Sequence, residues 1–132
     1  PEYIPTQGDE NGVKCVSFAP EGEVQSYTFS YVSADTTYTE VYSAAQKKLW
    51  LYANGQPVSV TEDLNKTVGM ITIQGNNIHQ VFFFRAAMTE REVRALARGK
   101  MLRSSLEIYC PLLGGDTTNY AQTMNCVAIH NK

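Results

Sequence analysis

The segment Val24–Val32 constrains the fold more than any other, because Tyr27, Phe29 and Tyr31 alternate there with Ser26, Thr28 and Ser30. A period of two places the rings on one side and the hydroxyls on the other, as in a strand with one buried face. Wound as a helix, the same rings would scatter around the circumference. The pattern recurs in Thr37–Tyr42 with Tyr38 and Tyr42, and short apolar runs at Val13–Phe18, Lys48–Ala53, Gln56–Val60, Val68–Ile73 and Ile78–Phe84 share its length. Turn formers separate them: Pro20 and Gly22, then Asn54-Gly55, then Gly75-Asn76-Asn77. Asn-Gly between two strand-like runs predicts a hairpin, since a type I′ turn needs two positive φ angles. Leu106–Tyr109, halted at Pro111, and Cys126–His130 complete the set, and residues 1–12 read as an irregular lead-in.

One segment interrupts this rhythm. Thr89-Glu90-Arg91-Glu92 is a capping box, in which Thr and the Glu three residues on satisfy each other's backbone amides. Val93, Leu96 and Ala97 then form an apolar stripe at helical spacing, and Gly99 stands where a helix ends. A helix of about nine or ten residues near 90–98 is predicted. Seven or eight short strands with one late helix imply an all-β antiparallel sandwich. An immunoglobulin domain is excluded: it wants Trp soon after its first Cys, and Trp50 follows Cys15 by 35 positions.

The 132 residues are 43% apolar and 18% charged, the balance of one globular domain. A net charge of −2 creates no general field toward nucleic acid or membrane. No apolar run reaches the roughly 18 residues of a membrane span, and no signal-peptide pattern opens the chain at Pro1. Cys15, Cys110 and Cys126 are an odd set, fitting either a reducing compartment or one disulfide with one free thiol. Asn65-Lys66-Thr67 is a glycosylation sequon if the chain is exported. The compartment stays open between extracellular and intracellular. With two histidines and no CxxC, no metal site and no cofactor is expected.

At the hairpin and the helix the chain resembles a known superfamily. The stretch KKLWLYANGQPVSV is similar to the strand–turn–strand of laminin-G-like and other concanavalin A-like lectin and glucanase domains. GNNIHQVFFFRAAMTEREVRALARGK resembles the strand that leads into their short helix, and SYTFSYVS resembles an early strand. The resemblance spans about residues 13–100 and implies a jelly-roll sandwich of two antiparallel sheets. It covers lectins, glycosidases and adhesion modules alike, so the fold leaves the function open.

The chemistry-bearing residues narrow that choice. The Glu-x-Asp-x-x-Glu of sandwich glucanases is absent, and no Cys–His spacing supports nucleophilic catalysis, so no catalytic residue and no enzyme activity are expected. Aromatics are more informative. If Leu49 and Leu51 point to the core, Trp50 and Tyr52 emerge on the outer face, where rings beside Asn or Asp make a glycan platform. Tyr38 and Tyr42 are expected to extend it, with Asn76 and Asn77 as further ligand contacts. The alternative is that these rings pack across strands or beneath a loop. Between Arg85 and Arg103 lie six basic and two acidic residues, and Arg91, Arg94 and Arg98 share one helix face suited to a sulfated glycan, a phosphate or an acidic partner. No nucleic-acid motif accompanies it. The expected function is therefore a carbohydrate-binding, lectin-like module whose partner is a glycan or glycoprotein. The alternative is a protein–protein or self-assembly module on the same fold.

Overall fold

The structure, a computed structural model, describes residues 13–112, 117–121 and 127–130. The expected lead-in over 1–12 and Cys126 lie outside the described residues. Among the described residues, nine strands and one helix follow in chain order: β1 (Cys15–Phe18), β2 (Tyr27–Ser33), β3 (Thr36–Ser43), β4 (Lys48–Ala53), β5 (Gln56–Thr61), β6 (Ile71–Gln74), β7 (His79–Phe84), α1 (Glu90–Ala97), β8 (Leu106–Cys110) and β9 (Val127–His130). The helix is eight residues, slightly shorter than its sequence pattern predicts.

Two antiparallel sheets form the sandwich. One has three strands in the order β6-β1-β9, and the other six in the order β5-β4-β3-β2-β7-β8. The aromatic face of β2 turns toward the smaller sheet, as its period of two requires. Tyr27 and Phe29 join Phe18 and Val16 of β1, Ile73 of β6, and Val81, Phe83 and Ile108 in the principal core. Phe18 meets Phe83 edge-on at 5.6 Å, and Phe83 stacks on Tyr27 at 6.0 Å. These are preferred geometries for aromatic quadrupoles.

The opposite face of the large sheet is covered too. Helix α1 lies across it, burying Val93 against Val41 and Tyr52, and Leu96 against Phe82 and Phe84. The unbroken apolar run Val81–Phe84 has this cause, since a strand covered on both faces loses its polar alternation. Thr28 fixes the approach to the helix: its hydroxyl donates to Ala86 O at 2.7 Å and accepts from Met88 N at 3.0 Å. At the hairpin, Asn54 and Gly55 take φ of 52° and 80°. A Cβ on Gly55 would stand 3.2 Å from Arg94 Cα, so this glycine answers both the turn and the close passage of the helix.

The capping box forms as its sequence implies, with Glu92 N donating to Thr89 Oγ1 at 3.2 Å and Thr89 N to Glu92 Oε1 at 2.9 Å. Thr89→Ala is expected to cost about 1 kcal/mol. Urea unfolding should show a lower midpoint at unchanged slope; an unmoved midpoint would remove the cap from the list of stabilising contacts.

Candidate functional site

A cleft of about 460 Å³ opens on the outer face of the six-stranded sheet beside the C-terminal end of α1. Its floor comes from β2 and β7 through Ser30 and Phe82, one wall is Tyr109 of β8, and the other is the chain from Leu96 to Met101. Register explains the floor. Ser30 pairs with Phe82, and Phe82 with Tyr109, so all three side chains project from the same face. The Phe82 and Tyr109 rings stack at 4.6 Å and 10°. Asn119 steadies β8 from its outer edge: its Oδ1 accepts from Tyr109 N at 2.9 Å, and its Nδ2 donates to Glu107 O at 3.0 Å.

A backbone irregularity aims one polar group into this cleft. Between Ser30 and Val32 the β2–β7 register shifts, so that Gln80 and Val81 together oppose Tyr31. Gln80, the first of the two, has φ of 55°. A bulge with a left-handed first residue is a glycine position by preference, and a side chain there costs roughly 1–2 kcal/mol. Gln80 nevertheless lines the cleft, with Tyr109 Oη 3.4 Å from its side-chain oxygen. Strained backbone that keeps a polar side chain in a cleft is a feature of functional sites.

The opposite wall carries charge. The helix ends in a Schellman turn: Gly99 N donates to Leu96 O and Lys100 N to Ala95 O, both at 3.0 Å, with Gly99 at φ 91°. This reversal sets Arg98 and Lys100 on the same rim, both exposed. Among the described residues that line the cleft there is no carboxylate, thiol or imidazole.

The residues singled out from the sequence are distributed differently. Trp50 and Tyr52 do project opposite Leu49 and Leu51, on the outer face, but α1 and residues 87–88 cover them. Tyr52 is 5% exposed, and Trp50 is half-buried in a smaller hollow with Met88, Thr89 and Glu90. Burial pushes the Tyr52 phenol above its ordinary pKa; the Glu90 carboxylate adds to the rise and Arg94 opposes it. Tyr38 and Tyr42 lie on the inner face instead, since Val41 and Thr39 are the cross-strand partners of Trp50 and Tyr52. Tyr42 is buried, donating its hydroxyl to Leu64 O at 2.7 Å, whereas Tyr38 is 40% exposed beside Tyr31. The four rings therefore divide between two faces and form no continuous platform. Asn76 and Asn77 make the β6–β7 turn, with Ser33 Oγ donating to Asn76 O at 3.0 Å; they line neither of these two hollows, and Asn76 borders a separate one with Lys14, Cys15 and Gln74.

The helix arginines separate as well. Arg94 is paired with Glu90 at 2.6 Å, Arg91 is exposed, and only Arg98 reaches the cleft. Gln80, Tyr109 and Lys100 line the cleft without being among the residues the sequence singles out. The continuous apolar run of β7 was the available signal, because it implies a covered outer face with a helix edge beside it.

No protein-family model and no curated protein matches the sequence. Solved structures do. A protein of Bacteroides ovatus with a proposed carbohydrate-binding role superposes with a TM-score of 0.65 at 11% identity, over 89% of this chain and 59% of that one. The chain thus spans less than two thirds of that structure. A heptameric SAP-like pentraxin of Limulus polyphemus superposes with a TM-score of 0.53 at 12% identity, over 99% of this chain and 91% of that one. At such identities the likeness is one of fold. The chain folds as an antiparallel jelly-roll β-sandwich.

Proposed function

We propose that this domain is a non-catalytic recognition module that binds carbohydrate in the cleft between α1 and strands β2, β7 and β8. The observation that carries the reading is Gln80, held in a left-handed conformation beside the Tyr109 ring. An aromatic face for sugar C–H groups and an amide for hydroxyls are the two elements a saccharide site needs. The named carbohydrate-binding neighbour supports it, and so does the resemblance to laminin-G-like domains in KKLWLYANGQPVSV. A second reading, protein–protein assembly, is favoured by β5, an edge strand with Val58 66% and Val60 48% exposed. Pro57 and the bulge opposite Leu51 and Tyr52 blunt that edge, so the cleft is preferred.

Two variants test the cleft on a glycan array and by titration of the sugars it identifies. Tyr109→Ala is expected to weaken binding at least 30-fold, the scale of an aromatic hot spot of about 2 kcal/mol. Gln80→Gly is expected to weaken binding while leaving stability equal or raising it by about 1 kcal/mol, because glycine relieves the left-handed backbone. Full sugar binding by Gln80→Gly would remove the amide from the site. Silence of the unaltered domain on every sugar, with an emission shift of Trp50 on self-association, would favour assembly.

A further inference from the structure

We infer that the saccharide taken by this cleft is anionic, carrying uronate or sulfate groups that Arg98 and Lys100 engage while a ring lies against Tyr109; the inference rests on the cleft being a saccharide site. Charge accounting leads to it. Of the six basic residues between Arg85 and Arg103, Arg85 is paired with Glu107 and Arg94 with Glu90. Of the two carboxylates in that stretch, Glu90 is held by Arg94 and Glu92 by the capping box at Thr89. The cations left on the rim, Arg98 and Lys100, face a lining without an acidic side chain among the described residues. The Schellman turn fixes their spacing, two positions apart across Gly99. An arginine fork recognises carboxylate and sulfate oxygens through paired hydrogen bonds, and a lysine adds a compact point charge. A neutral sugar would leave both without a partner of opposite sign. The chain as a whole is at −2, so the attraction is local to this rim rather than a property of the surface at large.

The test compares three oligosaccharides of equal length by titration: a polyuronate, a sulfated chain and a neutral counterpart, each at low and physiological salt. The unaltered domain is expected to bind at least one anionic chain ten or more times tighter than the neutral one, with the advantage shrinking as salt rises. The uronate and sulfate arms show which group is preferred. In the double variant Arg98→Gln/Lys100→Gln the anionic-to-neutral ratio is expected to fall to about one, while Arg91→Gln/Arg103→Gln, altered at exposed positions outside the cleft, keeps it. Equal affinity for neutral and anionic chains, or a ratio lost only in the Arg91/Arg103 variant, would overturn the inference and leave the saccharide reading in place. Failure to bind any of the three, together with silence on the array, would overturn both.

Discussion

Phe83→Ala is expected to lower the stability of this domain by about 3–5 kcal/mol, the usual cost of truncating a fully buried phenylalanine. The side chain is completely inaccessible and sits where the two sheets meet, between Phe18 of β1 and Tyr27 of β2. Its removal takes away apolar burial and leaves a void that rigid strands on both sides cannot close. Against a typical stability of about 5–15 kcal/mol, that is a large fraction. Urea unfolding followed by Trp50 emission should show the midpoint falling with the slope unchanged. Val58→Ala, on the exposed face of β5, should stay within about 0.5 kcal/mol of the parent. If Phe83→Ala lost less than about 1 kcal/mol, the sheets would not close over Phe83 as described.

The same strand shows how much of the molecule was readable beforehand. Nine strands and the helix fall within a few residues of their sequence signals, because period two, turn residues and the capping box are local and act at short range. The face of each side chain within β4 was legible too, with Trp50 opposite Leu49. Two things were not. The first is register: the β3–β4 connection through Ala44–Lys47 sets Val41 against Trp50, and that puts Tyr42 beside Leu49 on the other face. A shift of one residue would have exchanged the faces, and nothing in the local composition decides it. The second is what covers a face. Ala87, Met88 and Val93 shield Trp50 and Tyr52 from some 40 positions away, a long-range contact with no local signature. Gln80 is the sharpest case. Glutamine is no turn former, so its left-handed backbone follows only from the pairing of β7 with β2.

Arg85→Met is expected to cost about 1–3 kcal/mol, because it removes one partner of a partly exposed ion pair together with the hydrogen bonds of its guanidinium. The guanidinium joins three parts of the fold. Nε and Nη2 donate to the two carboxylate oxygens of Glu107 on β8, while Nη1 donates to Glu23 O and Nη2 to Glu21 O, each of the latter at 2.7 Å. Its own backbone N–H donates to Ser105 O at 2.9 Å. The clamp therefore ties the end of β7 to β8 and to the turn before β2, next to the point where the chain leaves for α1. Methionine fills much of the same volume but leaves the Glu107 carboxylate without its cation and two carbonyls without a donor. Lysine cannot substitute, because one ammonium cannot reproduce a planar fork that serves a carboxylate and two carbonyls together. Arg85→Lys is accordingly expected to recover less than half of the loss. The double variant Arg85→Met/Glu107→Met should be more stable than Arg85→Met alone, since it removes the stranded charge. Urea unfolding of the parent, Arg85→Met, Glu107→Met and the double variant forms a double-mutant cycle, and a coupling energy between about 0.5 and 3 kcal/mol is expected. Strictly additive effects would show that Arg85 acts through the Glu21 and Glu23 carbonyls alone. Full recovery by lysine would show that only its charge is needed.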